Sequence, residues 1–232
     1  MGNLYIVATP IGNLQDITLR ALKTLEEVDY IACEDTRVTS ILIKKYFEAS
    51  PKAILDKLFS YYEKIEEKKI PQIINLLLNG KNVALVSDAG TPLISDPGFK
   101  LVRECQKNDI NVISVPGASA VVSALASSGL PSDKFTFLGF LPQKPGHRIR
   151  MLENLLESQK FISSTVIFYE SPFKILTTLK DILKVFGNIE ICIARELTKI
   201  HEEVEKKTVE DFIRIFSEKK PKGELTVLFN LK

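Results

Sequence analysis

Short apolar runs alternate along the chain with longer stretches whose apolar residues recur every three or four positions. The runs at 4–8, 30–33, 83–86 and 112–115 are too short for helices and read as buried strands. A weaker run at 58–61 is a possible further strand. Between them, residues 18–27 carry Leu19, Leu22 and Leu25 at helical spacing, with Asp16 as the expected N-cap. Further helices are expected from the end of the second strand to about Phe47, over 63–78 despite Pro71, and up to about Lys107. Asp96 and Pro97 read as the cap and first residue of the last of these. A small-residue helix at 118–127 closes this half. Strands alternating with helices predict a parallel sheet built from right-handed βαβ units.

The pattern breaks at Ser128-Gly129-Leu130-Pro131. Beyond it, strands are expected at 135–140, 165–169, 189–194, 202–206 and 224–229. Helices are expected from 142 to 159, from about Ser171, as its cap, to Phe186, and over 209–217. Shorter connections between consecutive strands suggest a mixed sheet. The chain therefore reads as two α/β domains, 1–116 and 117–232, joined somewhere between Val115 and Pro131. At 232 residues it has room for this.

Composition narrows the class only a little. Hydrophobic residues make up 45% and charged residues 26%, ordinary for a globular protein, and the net charge of +2 creates no strong overall field. A nucleic-acid partner would have to rely on local patches. Lys144, His147, Arg148 and Arg150 form one such cluster; Lys44 and Lys45, Lys206 and Lys207, and Lys219, Lys220 and Lys222 form others. A lone cluster is more often a solvated face. His147 is read as exposed and outside the chemistry. Cys33, Cys105 and Cys192 are odd in number and far apart, so no disulfide framework is suggested and the cytoplasm is the natural compartment. With two histidines and no CxxC, a metal cluster is not expected. No signal peptide and no membrane span is expected either.

Chemistry concentrates at the predicted strand ends, where open α/β sheets bind ligands. These are Thr9-Pro10-Ile11-Gly12, Glu34-Asp35-Thr36-Arg37, Ser87-Asp88-Ala89-Gly90-Thr91-Pro92 and Pro116-Gly117-Ala118-Ser119-Ala120. In a parallel sheet these loops share one edge. Neither GxGxxG nor GxxxxGK[ST] occurs, so a polyphosphate cradle is disfavoured. The loops suit a ligand with polar groups but few phosphates, such as a nucleoside or an amino-acid-like molecule. Gly90 and Gly117 permit close backbone approach, and Asp88 can accept from an ammonium or hydroxyl. In the second half, Glu170, Arg195, Glu196 and Lys199 follow strand ends.

These motifs resemble those of the ribosomal RNA small subunit methyltransferase I family. The resemblance rests on the segment from Leu4 through Thr18, Cys33-Glu34-Asp35-Thr36-Arg37, the segment from Ser87 through Gly98, Val115-Pro116-Gly117-Ala118-Ser119, Phe168-Tyr169-Glu170-Ser171-Pro172 and Ala194-Arg195-Glu196-Leu197-Thr198-Lys199. It implies the tetrapyrrole methylase fold, with S-adenosylmethionine held in a cleft between two α/β domains, and usually a homodimer. It also implies methylation of a cytidine ribose 2′-oxygen in 16S rRNA of the small ribosomal subunit, without a metal. On the resemblance, the donor is held by Pro10, Asp88, Ala89, Gly90, Thr91, Pro92, Ser119, Ala120, Leu141 and Tyr169.

Methyl transfer to a hydroxyl needs in-line positioning and help in removing the acceptor proton. Candidates for that work are Glu34, Arg37, Glu170, Arg195 and Lys199. Lys199 would serve as a base if burial lowered its pKa, or as a cation beside the developing oxyanion. RNA contacts are expected from Arg37, Lys144, Arg148 and Arg150. Two alternatives stand beside this reading: a methylase of the same fold acting on a small molecule such as a tetrapyrrole precursor, and a non-enzymatic ribosome-assembly factor.

Overall fold

The structure, a computed structural model, describes residues 1–231. The chain divides into two compact units, Met1–Ser119 and Ala120–Lys232.

The first unit holds β1 (Leu4–Val7), α1 (Leu19–Glu27), β2 (Tyr30–Cys33), α2 (Thr36–Tyr46), α3 (Pro51–Leu55), β3 (Leu58–Ser60), α4 (Glu66–Leu78), β4 (Val83–Val86), α5 (Phe99–Lys107) and β5 (Val112–Val115). Its strands form one all-parallel sheet in the order β3-β2-β4-β1-β5, as the alternating pattern predicts. Side chains of a strand point to opposite faces, so each strand feeds two cores. Leu4, Ile6, Val83 and Leu85 pack against Ile73, Leu77 and Leu101 from α4 and α5. Val7, Ile31, Ala84 and Val86 pack against Leu25, Leu42, Ile43 and Ile54 from α1, α2 and α3. All four residues of β4 are buried, which explains its uninterrupted apolar sequence.

Strand order decides where a ligand can sit. From β1 the chain goes to β2 on one side of the sheet; from β4 it goes to β5 on the other. The loops after β1 and β4 thus part in opposite directions, which makes the carboxyl ends of these neighbours the switch point of the sheet.

The second unit holds α6 (Ala120–Ser127), β6 (Phe135–Phe140), α7 (Pro145–Gln159), β7 (Thr165–Glu170), α8 (Ile175–Phe186), β8 (Glu190–Arg195), β9 (Glu203–Thr208), α9 (Val209–Glu218) and β10 (Leu225–Phe229). Its sheet runs β6-β7-β10-β8-β9. The β6–β7 pair is parallel and the other pairs are antiparallel, giving the expected mixed sheet. Leu152, Leu179, Ile182 and Phe212 from α7, α8 and α9 bury against Phe168, Ile193, Val227 and Phe229.

Several local expectations are corrected. The cap of α1 is Thr18, whose hydroxyl accepts from the Ala21 amide at 3.1 Å; Asp16 ends a short 3-10 turn instead. The short helix α3 has no counterpart among the expected elements. Asp96 and Pro97 do not start α5: Gly98 precedes its first residue, and no side chain of its own caps it. Glu66 from α4 takes that role, its Oε1 accepting the Gly98 amide at 2.9 Å and the Tyr61 hydroxyl at 2.9 Å. Ser171 does not cap α8 through its side chain, since the helix begins at Ile175; the Ser171 carbonyl accepts from the Lys174 and Ile175 amides.

Candidate functional site

The loops at the switch point are tied together by hydrogen bonds. Thr9 and Gly90 exchange backbone bonds of 2.9 and 3.0 Å. The Thr9 hydroxyl donates to the Ser87 carbonyl at 3.1 Å. The Thr91 hydroxyl donates to the Ala118 carbonyl at 3.0 Å, linking the loop after β4 to the loop after β5. Gly90 has φ +83°, and a Cβ there would lie 3.2 Å from Ile11 Cγ2. The tight pairing of Thr9 with Gly90 thus needs a residue without a side chain.

Asp88 joins a fourth loop, the one after β2, to this group. Its Oδ1 accepts the Asp35 amide at 3.0 Å, so the strand ends of β2 and β4 are coupled through one carboxylate. Burial pushes the Asp88 carboxyl up, opposed by that amide bond. Glu34, half-buried beside it, is also pushed up, first by burial and then by the charges of Asp96 and Asp88. A site with acids of raised pKa in a strand-end crevice is suited to binding polar groups and to accepting a proton.

A pocket of about 210 Å³ opens beside these loops within the first unit. Pro10, Ile11 and Gly12 form one wall; Val38, Thr39, Ile41 and Leu42 of α2 form another; Ser87, Asp88 and Ala89 also line it. Sequence reasoning did not single out the α2 residues. Their signal was the apolar pair Val38 and Ile41, 39% and 62% exposed on an otherwise amphipathic helix.

Other candidates fall elsewhere. Asp35, and not a distant group, holds Arg37: its carboxylate takes both a backbone and a bidentate side-chain bond from Arg37, whose side chain is largely exposed. That pairing holds the Asp35 carboxyl down to about 2. Glu170 is buried, with Oε1 accepting the Ser171 amide at 2.8 Å and Oε2 accepting the Thr178 hydroxyl at 2.6 Å. It braces the turn from β7 into α8. Arg195 is clamped by Glu203 at 2.6 Å and the Lys222 carbonyl at 3.1 Å. Lys199 lies 2.9 Å from Glu196 and 3.5 Å from Glu224. Its burial alone would lower its pKa, but the bond to Glu196 and the Glu224 charge outweigh this and raise it. Lys199 therefore stays an ammonium, and the expectation of a lysine base with a lowered pKa is corrected.

Leu141 is buried in the core of the second unit, and Tyr169 packs edge-on to Phe137 at 4.9 Å and beside Phe140 at 5.6 Å. Ser119 ends the first unit and Ala120 opens α6. Lys144, His147 and Arg150 are exposed, but Arg148 is 3% exposed. Its Nε donates to Asp181 at 2.7 Å, and its Nη1 lies 3.2 and 3.3 Å from the Pro142 and Gln143 carbonyls. The placement of Arg148 on a phosphate is thus corrected: it ties the loop before α7 to α8. Among the described residues no group of His, Cys, Asp and Glu is arranged to hold a metal, and no helix is long and apolar enough to cross a membrane.

A parallel sheet with polar loops gathered at its switch point, followed by a five-stranded mixed sheet, is the architecture of the tetrapyrrole (corrin/porphyrin) methylases, whose family model matches residues 3–213. The structure of uroporphyrin-III C-methyl transferase from Thermus thermophilus complexed with S-adenyl homocysteine shares this fold. It superimposes with a TM-score of 0.60 over 98% of this chain and 97% of that one, at 16% identity. A relative from Thermotoga maritima named ribosomal RNA small subunit methyltransferase I is 50% identical over 232 residues, the full length of both chains. A relative of the same name from Halalkalibacterium halodurans is 46% identical over 98% of this chain and 75% of its own. This chain belongs to the ribosomal RNA small subunit methyltransferase I family.

Proposed function

We propose that the chain methylates the ribose 2′-hydroxyl of a cytidine in 16S rRNA of the small ribosomal subunit, using S-adenosylmethionine, as a cytoplasmic homodimer. The observation that carries this reading is the bracing of the β1, β4 and β5 loops around Asp88 at the switch point of the parallel sheet. The names of the relatives supply the substrate class.

The residues present fit such a donor. Asp88 spends one lone pair on the Asp35 amide, and a carboxylate keeps others for a hydroxyl or ammonium. Ala89 is exposed at the loop tip, while Gly90 and Thr91 are locked by bonds to Thr9 and Ala118. Pro10, Asp88, Ala89, Gly90, Thr91 and Pro92 would hold it, with Ser119, Ala120, Leu141 and Tyr169 completing its contacts. The donor supplies an electrophilic methyl group on a sulfonium. The chain supplies position, since pinned loops need no reordering when ligand arrives.

Glu34 is the best-matched acid for taking the acceptor proton, because its raised pKa makes its carboxylate a stronger base than a solvated one. Lys199, kept charged by Glu196, serves as a cation beside developing negative charge, with Arg195 fixed nearby in sequence by Glu203. Lys144 and Arg150, both exposed, are the phosphate contacts left in their cluster, and Arg37 offers another.

The test is transfer of tritiated methyl to small subunits, to free 16S rRNA and to a tetrapyrrole precursor. Label in either RNA form is expected; label in neither overturns the reading, and label in the tetrapyrrole alone selects the small-molecule alternative. Calorimetry with Asp88→Ala should show S-adenosylmethionine binding weakened about tenfold or more, the scale of a charge-assisted hydrogen bond. Wild-type affinity in that variant would remove Asp88 from the donor site.

A further inference from the structure

The pocket between the Thr9–Gly12 loop and α2 contains a feature that packing does not explain. Ser87 is 4% exposed, and its hydroxyl has no hydrogen-bond partner among the described residues. A buried hydroxyl normally bonds a nearby carbonyl, because leaving it unpaired is unfavourable. Ser87 is one of the residues that line the pocket, beside apolar walls from Pro10, Ile11, Val38 and Leu42. An apolar slot with one unpaired group able to donate and accept matches a planar heterocycle with polar ring edges.

Size is compatible with this: the pocket, of about 210 Å³, has room for one pyrimidine-sized ring. The pocket also shares Ser87, Asp88 and Ala89 with the proposed donor loop. A ring seated there carries its attached sugar beside that loop.

We infer that this pocket receives the unstacked base of the acceptor nucleotide, with the Ser87 hydroxyl bonding a polar edge of the ring. The inference rests on the reading of the chain as an RNA methylase and names where that substrate's base goes. Enzymes acting on one nucleotide of a structured nucleic acid commonly draw its base from the stack into such a slot.

The experiment is nuclear magnetic resonance of the full chain with isotope-labelled Ile, Leu and Val methyl groups, titrated with cytidine in the presence of saturating S-adenosylhomocysteine. Cytidine should shift the methyls of Ile11, Val38, Ile41 and Leu42. Ser87→Ala should weaken cytidine about tenfold, the effect of one hydrogen bond, with a melting temperature equal to or above wild type. Val38→Trp should abolish the shifts by filling the slot, and Ile41→Trp, at a more exposed position, provides a second blocking variant.

The inference is overturned if cytidine moves none of these methyls, or if Ser87→Ala binds it as well as wild type. It is also overturned if S-adenosylhomocysteine alone shifts the same methyls and excludes cytidine, since the ring would then be the donor's adenine. Methyl transfer to small subunits is measured in parallel. Shifts without transfer support the pocket and sink the enzyme reading; transfer without shifts does the reverse.

Discussion

Glu34 and Arg148 show how far one residue's surroundings decide its role. Glu34 has a carboxyl whose folded pKa lies above the ordinary 4.5, through burial and then the charges of Asp96 and Asp88. A group raised in this way contributes stability that is full below its unfolded pKa and is lost as pH rises through its folded one. At neutral pH the ionised side chain therefore works against folding. Glu34→Gln should raise the melting temperature at pH 7, with the gain vanishing by about pH 4. If Glu34 is the base, the same variant should lower kcat by roughly 10²–10⁴. Arg148 behaves oppositely. Truncating one partner of a buried pair strands the other charge, so Arg148→Met should destabilise by about 3–5 kcal/mol in urea unfolding. The salt dependence of RNA binding should be unchanged in folded Arg148→Met, whereas Arg150→Ala should lower its slope by about one.

Element boundaries are set by partners from other elements as much as by local signals. Helix α5 begins where Glu66, from α4, reaches the Gly98 amide; the local acid Asp96 does not do this. Gly98 has φ +132°, and a Cβ there would come within 2.7 Å of Leu85 Cδ2 on β4. Gly98→Ala should therefore combine backbone strain with a clash against the sheet. We expect a loss of about 2–4 kcal/mol by chemical denaturation. Gly80→Ala makes a control, because nothing lies within 4 Å of its added Cβ although its φ is also positive, +81°. Its loss should be about 1 kcal/mol. Expected strands matched the structure well because alternation and burial are properties of a few consecutive residues. Helix starts at Asp16, Asp96 and Ser171 did not: the neighbouring Thr18 caps α1, Glu66 from α4 takes the cap of α5, and no side chain caps α8.

Across the whole molecule, each unit carries its own core, and all three cysteines are buried, Cys33 and Cys105 within the cores of the first unit. Cys33 and Cys105 are pushed up to about 11 by burial, and Cys192 is raised for the same reason. A thiol needs to be ionised and reachable to react. Ellman's reagent should therefore label none of them in the native protein at pH 8, and all three after denaturation. A fast-reacting thiol in the native state would contradict the packing of β2, α5 or β8.

The sequence by itself determined the alternation of strands and helices, the parallel and mixed sheets that follow from it, and the polar loops at strand ends. These rest on spacing between near neighbours, which a chain carries before it folds. The motifs also placed it in a methylase family. Folding alone settled that Glu66 caps α5, that Arg148 lies inside, that Lys199 remains a cation and that the Ser87 hydroxyl is buried without a partner. Each of those depends on residues far apart in sequence meeting, or failing to meet, in a low-dielectric interior where a partner decides charge, cost and reach.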